Sequence, residues 1–163
     1  MLTLCKHTLV PDLVGLAAHI GKPNTVIDVG AGIRPAKWAN AKWHICIEPC
    51  AIYAQALRDN GYEVIEARAA NGLRQCSGDL VLMLDCIEHM DRDEANEVLV
   101  AAYEAAPRII VYTPNGFLEQ TEDCWGLGQH DWQKHRSGWT PDDFAGWKII
   151  EGPEGFAAIY GYV

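Results

Sequence analysis

The sequence predicts an α/β fold: a mostly parallel, doubly wound sheet that ends in an antiparallel β-hairpin. Three observations carry this. Short β-branched runs alternate with helical stretches over the first two-thirds of the chain, the pattern of strand–helix–strand units. The run DLVLMLD (79–85) is apolar without alternation, as a strand covered on both faces must be. The last two strand-like segments, WKIIE (147–151) and FAAIYGY (156–162), are joined by GPEG alone. A parallel crossover takes about a dozen residues, so this pair must be antiparallel.

In chain order, residues 12–20 (DLVGLAAHI) set Leu13, Leu16, Ala17 and Ile20 at helical spacing. Asp12 is their N-cap after Pro11, and Gly21 and Pro23 stop the helix. TVIDVG (25–30) is a short β-branched strand. Arg34-Pro35 restarts the chain as a helix, since proline suits a first turn. WHICIE (43–48) is the second strand, and AIYAQALRDNG (51–61) is a helix closed by Asn60-Gly61. YEVIEA (62–67) is the third strand, followed by a linker. After the strand 79–85 comes a helix over 91–106, with acids in its first turn and Pro107 past its end. RIIVYT (108–113) is a further buried strand.

The 163 residues suffice for one domain and one core. Within it, residues 1–23 are an N-terminal helical segment and 113–144 a long loop. About half the residues (49%) are apolar and 21% charged, a globular composition. The net charge of -9 argues against a nucleic-acid-binding surface, which requires basic patches. No run approaches the ~18 apolar residues of a membrane span, and the start MLTLCKHTLVPDL lacks the layout of a secretory signal. Cys5, Cys46, Cys50, Cys76, Cys86 and Cys124 include no C-x-x-C pair. They read as reduced, mostly buried thiols of a cytoplasmic protein. A monomer or homodimer acting on a small molecule is expected.

In such a sheet, ligands sit at the carboxyl ends of the strands, where strand order reverses. Four strand ends carry polar or glycine signals: Asp28-Val29-Gly30-Ala31-Gly32, Glu48, Asp85, and Thr113-Pro114-Asn115-Gly116. A dinucleotide fingerprint G-x-G-x-x-G would place its third glycine where Pro35 stands. Yet Glu48, eighteen residues after Gly30, is placed as a ribose-binding acid. A ligand with ribose and adenine but no phosphate, such as S-adenosylmethionine (SAM), accounts for both facts.

VIDVGAG, then ICIE, then DLVLMLDCIEHM resemble the class I SAM-dependent methyltransferases over residues 24–162. The resemblance implies a Rossmann-like, seven-stranded sheet. It implies Asp28, Gly30, Ala31 and Gly32 along the methionine part of SAM, and Glu48 on the ribose hydroxyls. Ile47 and Pro49 flank the adenosine, Asp85 lies beside the cofactor, and Cys86 and Ile87 are near its methionyl end. It offers Glu66 for the adenine amino group. Some methyltransferases that resemble Asp85-x-x-Glu88-His89 bind a divalent metal there, and the spacing lets these three converge; the leading expectation is nevertheless a site without metal.

Methyl transfer needs an aligned acceptor, and an oxygen or nitrogen acceptor can need a base. Residues 113–144 hold His130, His135 and Arg136 interleaved with Trp125, Trp132 and Trp139. This suits a lid over a polar small molecule. Gln133, His135, Ser137 and Trp139 resemble a Q-x-H-x-S-x-W stretch of some small methyltransferases. His135 is the first choice for a base, then His130, with His89 a further base or substrate contact. Alternatively, the tryptophans anchor the loop and the histidines cap it. Two other functions stay open: a nicotinamide-dependent oxidoreductase and a non-catalytic SAM-binding scaffold.

Overall fold

The computed structural model describes residues 15–161. The strands are β1 (Thr25–Val29), β2 (Trp43–Ile47), β3 (Glu63–Ile65), β4 (Leu80–Leu84), β5 (Ile109–Pro114), β6 (Lys148–Glu151) and β7 (Gly155–Tyr160). They form one sheet in the order β3-β2-β1-β4-β5-β7-β6. The first five are parallel, and β7 runs antiparallel to both β5 and β6. The expected seven strands and closing hairpin are therefore present. Strand order reverses between β1 and β4.

The helices are α1 (Ala17–Ile20), α2 (Ala51–Asp59), α3 (Ala69–Leu73), α4 (Arg92–Ala105) and α5 (His130–Gln133). The expected N-terminal helix is seen only from Ala17, and its cap at Asp12 lies outside the described residues. Two expectations need correction. The segment after β1 forms no α-helix but a single 3-10 turn, Lys37–Ala39. Pro35 has no N–H to give, and the N–H of Ala36 goes to the Asp28 carboxylate rather than into a helix. Conversely, the linker after β3 contains α3. Its sequence AANGL has weak helix propensity, but Ala69, Ala70 and Leu73 bury themselves against α4 and the sheet.

The sheet is covered on both faces, and alternate residues of each strand go to opposite sides. Ile27, Val81, Met83, Ile109 and Val111 pack with α3, α4 and the aromatic pair Trp139 and Phe144. Val26, Leu80, Leu82, Leu84, Ile110 and Tyr112 pack with Leu16, Ile20, Ala36 and Ala39. This explains the unbroken apolar reading of β4, in which all five residues are buried. Among the described residues, no helix is long and apolar enough to cross a membrane. Cys46, Cys50, Cys76, Cys86 and Cys124 are free thiols.

At the reversal point Gly30 has φ +67°, and a β-carbon there would lie 2.7 Å from Cys86 Sγ. Both the left-handed backbone and the close approach require glycine. Gly30→Ala should lower the unfolding free energy by about 2 kcal/mol or more. Adding Cys86→Ala should recover part of that loss, because it removes the colliding sulfur. Urea denaturation of the two variants checks both expectations.

Candidate functional site

The carboxyl ends of β1, β2 and β4 open onto a cavity of about 500 Å³. Gly30 and Gly32 line it from the first strand end, Glu48 and Pro49 from the second, and Asp85 and Cys86 from the fourth. Glu48 is only 4% exposed. Its carboxylate accepts the N–H of Gly32 at 2.8 Å and of Cys50 at 2.9 Å. One side chain thus ties the glycine loop to the start of α2. A carboxylate offers about four acceptor positions, and these bonds occupy two of them.

Asp28 lies beneath the wall rather than on it. It is fully buried, and its Oδ2 accepts the Ala36 N–H at 2.7 Å and faces His44 Nε2 at 3.0 Å. It organises the glycine loop from below. Asp85 has φ +49°, a conformation that Asp tolerates better than most residues. It sits where β4 turns into the 3-10 turn Ile87–His89. Burial, reinforced by the Glu88, Glu48, Asp28 and Asp85 carboxylates, holds the Cys86 thiol well above its ordinary pKa. Cys86 therefore serves as a neutral wall and not as a thiolate nucleophile.

Other expected residues fall elsewhere. Ala31 and Ile87 are fully buried in the core and do not line the cavity. Glu66 does not line it either, because its carboxylate pairs with Arg58 on α2 at 2.8 Å. Arg68 and Ala69, at the start of α3, take the place on the wall expected of Glu66. His130 opens α5 on its exposed side, while Asp131, Trp132 and Gln133 reach the cavity.

The residues 113–144 are packed over the cavity by a bolt at Glu88. Its backbone carbonyl accepts the N–H groups of Arg136 (2.7 Å) and Ser137 (3.1 Å). Its buried carboxylate accepts the Thr113 hydroxyl at 3.0 Å. Gln133 ends α5, and beyond it the chain carries no regular structure to the bridge at Trp139; Gln133, His135, Ser137 and Trp139 are buried while Lys134 and Arg136 are exposed. The Q-x-H-x-S-x-W spacing is this period-two alternation. Gln133 donates to the Tyr53 hydroxyl (3.2 Å), and Ser137 bridges Trp139 Nε1 (2.8 Å) and the Ile87 carbonyl (3.2 Å). Tyr53 was not legible as a site residue, since its position in α2 reads as ordinary core spacing.

His135 and His89 meet edge to face, with ring centroids 4.7 Å apart. His135 Nδ1 is 2.6 Å from the Leu118 carbonyl, and His89 Nδ1 is 3.3 Å from that of Lys134. A carbonyl oxygen only accepts, so each Nδ1 is the donor of its pair. Glu88, His89 and His135 each offer one ligand atom within 4.8 Å of the others. That donor set suits a divalent ion as well as proton transfer. Asp85, expected in such a cluster, is replaced in it by His135.

The comparisons bear on this geometry. No protein-family model matches the chain, and no curated protein does. Solved structures match its fold over nearly all its length. An O-methyltransferase family protein from Burkholderia thailandensis superposes with TM-score 0.68 at 14% identity, covering 95% of this chain and 56% of that one. A SAM-dependent methyltransferase from Archaeoglobus fulgidus gives 0.67 at 15%, covering 94% and 93%. The fold is that of the class I methyltransferases. The DhpI–SAH complex structure gives 0.69 at 14%, covering 94% and 87%. The chain thus spans about half the length of the first of these and nearly all of the other two.

The far end of the lid is held by Arg92. It makes a two-pronged pair with Asp143 (2.8 and 3.1 Å), donates to the Gly138 carbonyl and stacks over Trp139 at 4.0 Å. The Arg92 bond, ahead of the Thr140 groups, holds the Asp143 carboxyl below its usual pKa. A depressed folded-state pKa gives stability that is present above the unfolded value and lost as pH falls. Asp143→Asn should therefore cost about 0.5–1 kcal/mol at neutral pH, given its partial exposure. The difference from wild type should vanish below the ordinary carboxylate range. Urea titrations at pH 7 and at acid pH check this.

Proposed function

We propose that this chain is a SAM-dependent methyltransferase that transfers a methyl group to an oxygen or nitrogen of a small polar acceptor. The observation that carries this reading is Glu48, a buried carboxylate on the cavity wall at the end of β2, bonded to the glycine loop beside the point of strand reversal. A carboxylate there suits paired ribose hydroxyls. The other wall residues fit the same ligand: bare backbone at Gly30 and Gly32, apolar Pro49 and Ala69 for a purine, and Asp85 and Cys86 at the floor. That one structural neighbour was solved with SAH, the demethylated product, supports the reading.

When bound, SAM supplies an electrophilic methyl group on a sulfonium. The chain's own part is to hold the acceptor in line with it, exclude water and take up a proton. His135 is the proposed base, because it lines the cavity and its Nδ1 bond to the Leu118 carbonyl fixes the ring there. His89 is the second imidazole, and buried Glu88 lies against both. The ribbon 133–139 closes the cavity above them. A second reading is favoured by the same bonds: ring N–H groups donated to backbone carbonyls are how metal-binding imidazoles are oriented. In it, Glu88, His89 and His135 hold a divalent ion that polarises the acceptor.

Calorimetry with SAH and with NAD tests the cofactor. Heat with SAH and none with NAD is expected; the reverse pattern would convert the reading to a nicotinamide enzyme. Glu48→Ala should weaken SAH binding by at least about 1 kcal/mol, the scale of a lost charged hydrogen bond. His135→Ala should depress turnover across a panel of small hydroxyl and amine acceptors while SAH affinity holds. Activity that survives exhaustive chelation assigns His135 as base; activity restored only by a divalent ion assigns the metal role.

A further inference from the structure

Resting on the cofactor reading above, we propose that Trp125 is the donor that binds the carboxylate at the amino-acid end of the cofactor, through its indole N–H. Three observations converge on this residue. Trp125 lines the cavity directly over the glycine loop, and a β-carbon at Gly32 would collide with its Cη2 and Cζ3. Its Nε1 is the only buried side-chain nitrogen without a hydrogen-bond acceptor among the described residues. Native proteins rarely leave such a donor unmatched, because its desolvation is then uncompensated.

Two N–H groups of the glycine loop are already engaged: Gly30 N–H goes to the Ile47 carbonyl and Gly32 N–H to Glu48. Of the two cavity arginines, Arg68 pairs with Glu94 on α4, and Arg136 bonds the Asp131 carbonyl at the lid.

The indole is also deliberately seated. Tyr53 meets it edge to face at 4.8 Å. Its backbone is set by Asp123, whose carboxylate accepts the N–H groups of Trp125 and Gln129 at 3.0 Å each. Burial opposes ionisation of Asp123, but the backbone N–H groups around it prevail and hold its pKa below the usual range. Gln129 in turn accepts from the Cys50 thiol at the start of α2. The six-membered edge of the indole lies over Gly32, on the cavity wall that the cofactor's methionine end would meet.

The test compares two ligands by calorimetry. SAH has the amino-acid end; methylthioadenosine keeps the adenosine and sulfur but lacks it. Trp125→Phe keeps the aromatic wall and removes the N–H. SAH affinity should fall by about tenfold or more, the loss of one charged hydrogen bond, with methylthioadenosine affinity unchanged. Equal losses for both ligands would make the indole a wall only, and no loss for either would remove it from the site; each overturns the proposal. If neither ligand binds the wild type, the cofactor reading fails and takes this one with it. A second measurement needs no variant to bind. The indole N–H resonance of Trp125, assigned by its absence in Trp125→Phe, should move downfield with SAH and stay with methylthioadenosine. An unmoved resonance under saturating SAH overturns the proposal.

Discussion

β1 and β4 lie side by side, yet the chain leaves their ends in opposite directions, toward β2 and toward β5. That parting produces the cleft, and its width is set by backbone contact. With Gly30 packed against the Cys86 sulfur, nothing larger than hydrogen fits between the two strand ends. Asp28 from below and Glu48 from the side then fix the loop that follows. Both acids are structural, because each spends acceptor capacity on backbone N–H groups, and only Glu48 of the two also faces the cavity.

The lid completes the cleft from the other side. Its last part is a ribbon fastened at Glu88 and Arg92, while its middle part leans on α2 through Trp125, Tyr53 and Gln133. The two attachments differ in kind. The first combines hydrogen bonds to the Glu88 backbone with the exposed Arg92–Asp143 ion pair, the second ring contacts and single side-chain bonds beside the cavity.

What the sequence disclosed follows from how local each cause is. The strand Leu80–Leu84 was legible because burial on both faces forces an unbroken apolar run. The stop of the helix Ala51–Asp59 at Asn60-Gly61 was legible because an end signal is a local arrangement. The helix Ala69–Leu73 was hidden because packing on α4, not propensity, forms it. The place of Glu66 was not legible because it depends on its pairing with an exposed arginine of α2, and that of His130 because it depends on the four-residue helix that the residue opens. The orientation of the two imidazoles depends on carbonyls at Leu118 and Lys134, remote in sequence from His89. No spacing rule reaches that far.

The ribbon from Gln133 to Trp139 has a further consequence. Its inward row is locked by neighbours, whereas Lys134 and Arg136 are exposed, Arg136 at the cavity. Exchanging those outer side chains disturbs little of the interior, so the charge on this surface can change while the packing beneath stays intact.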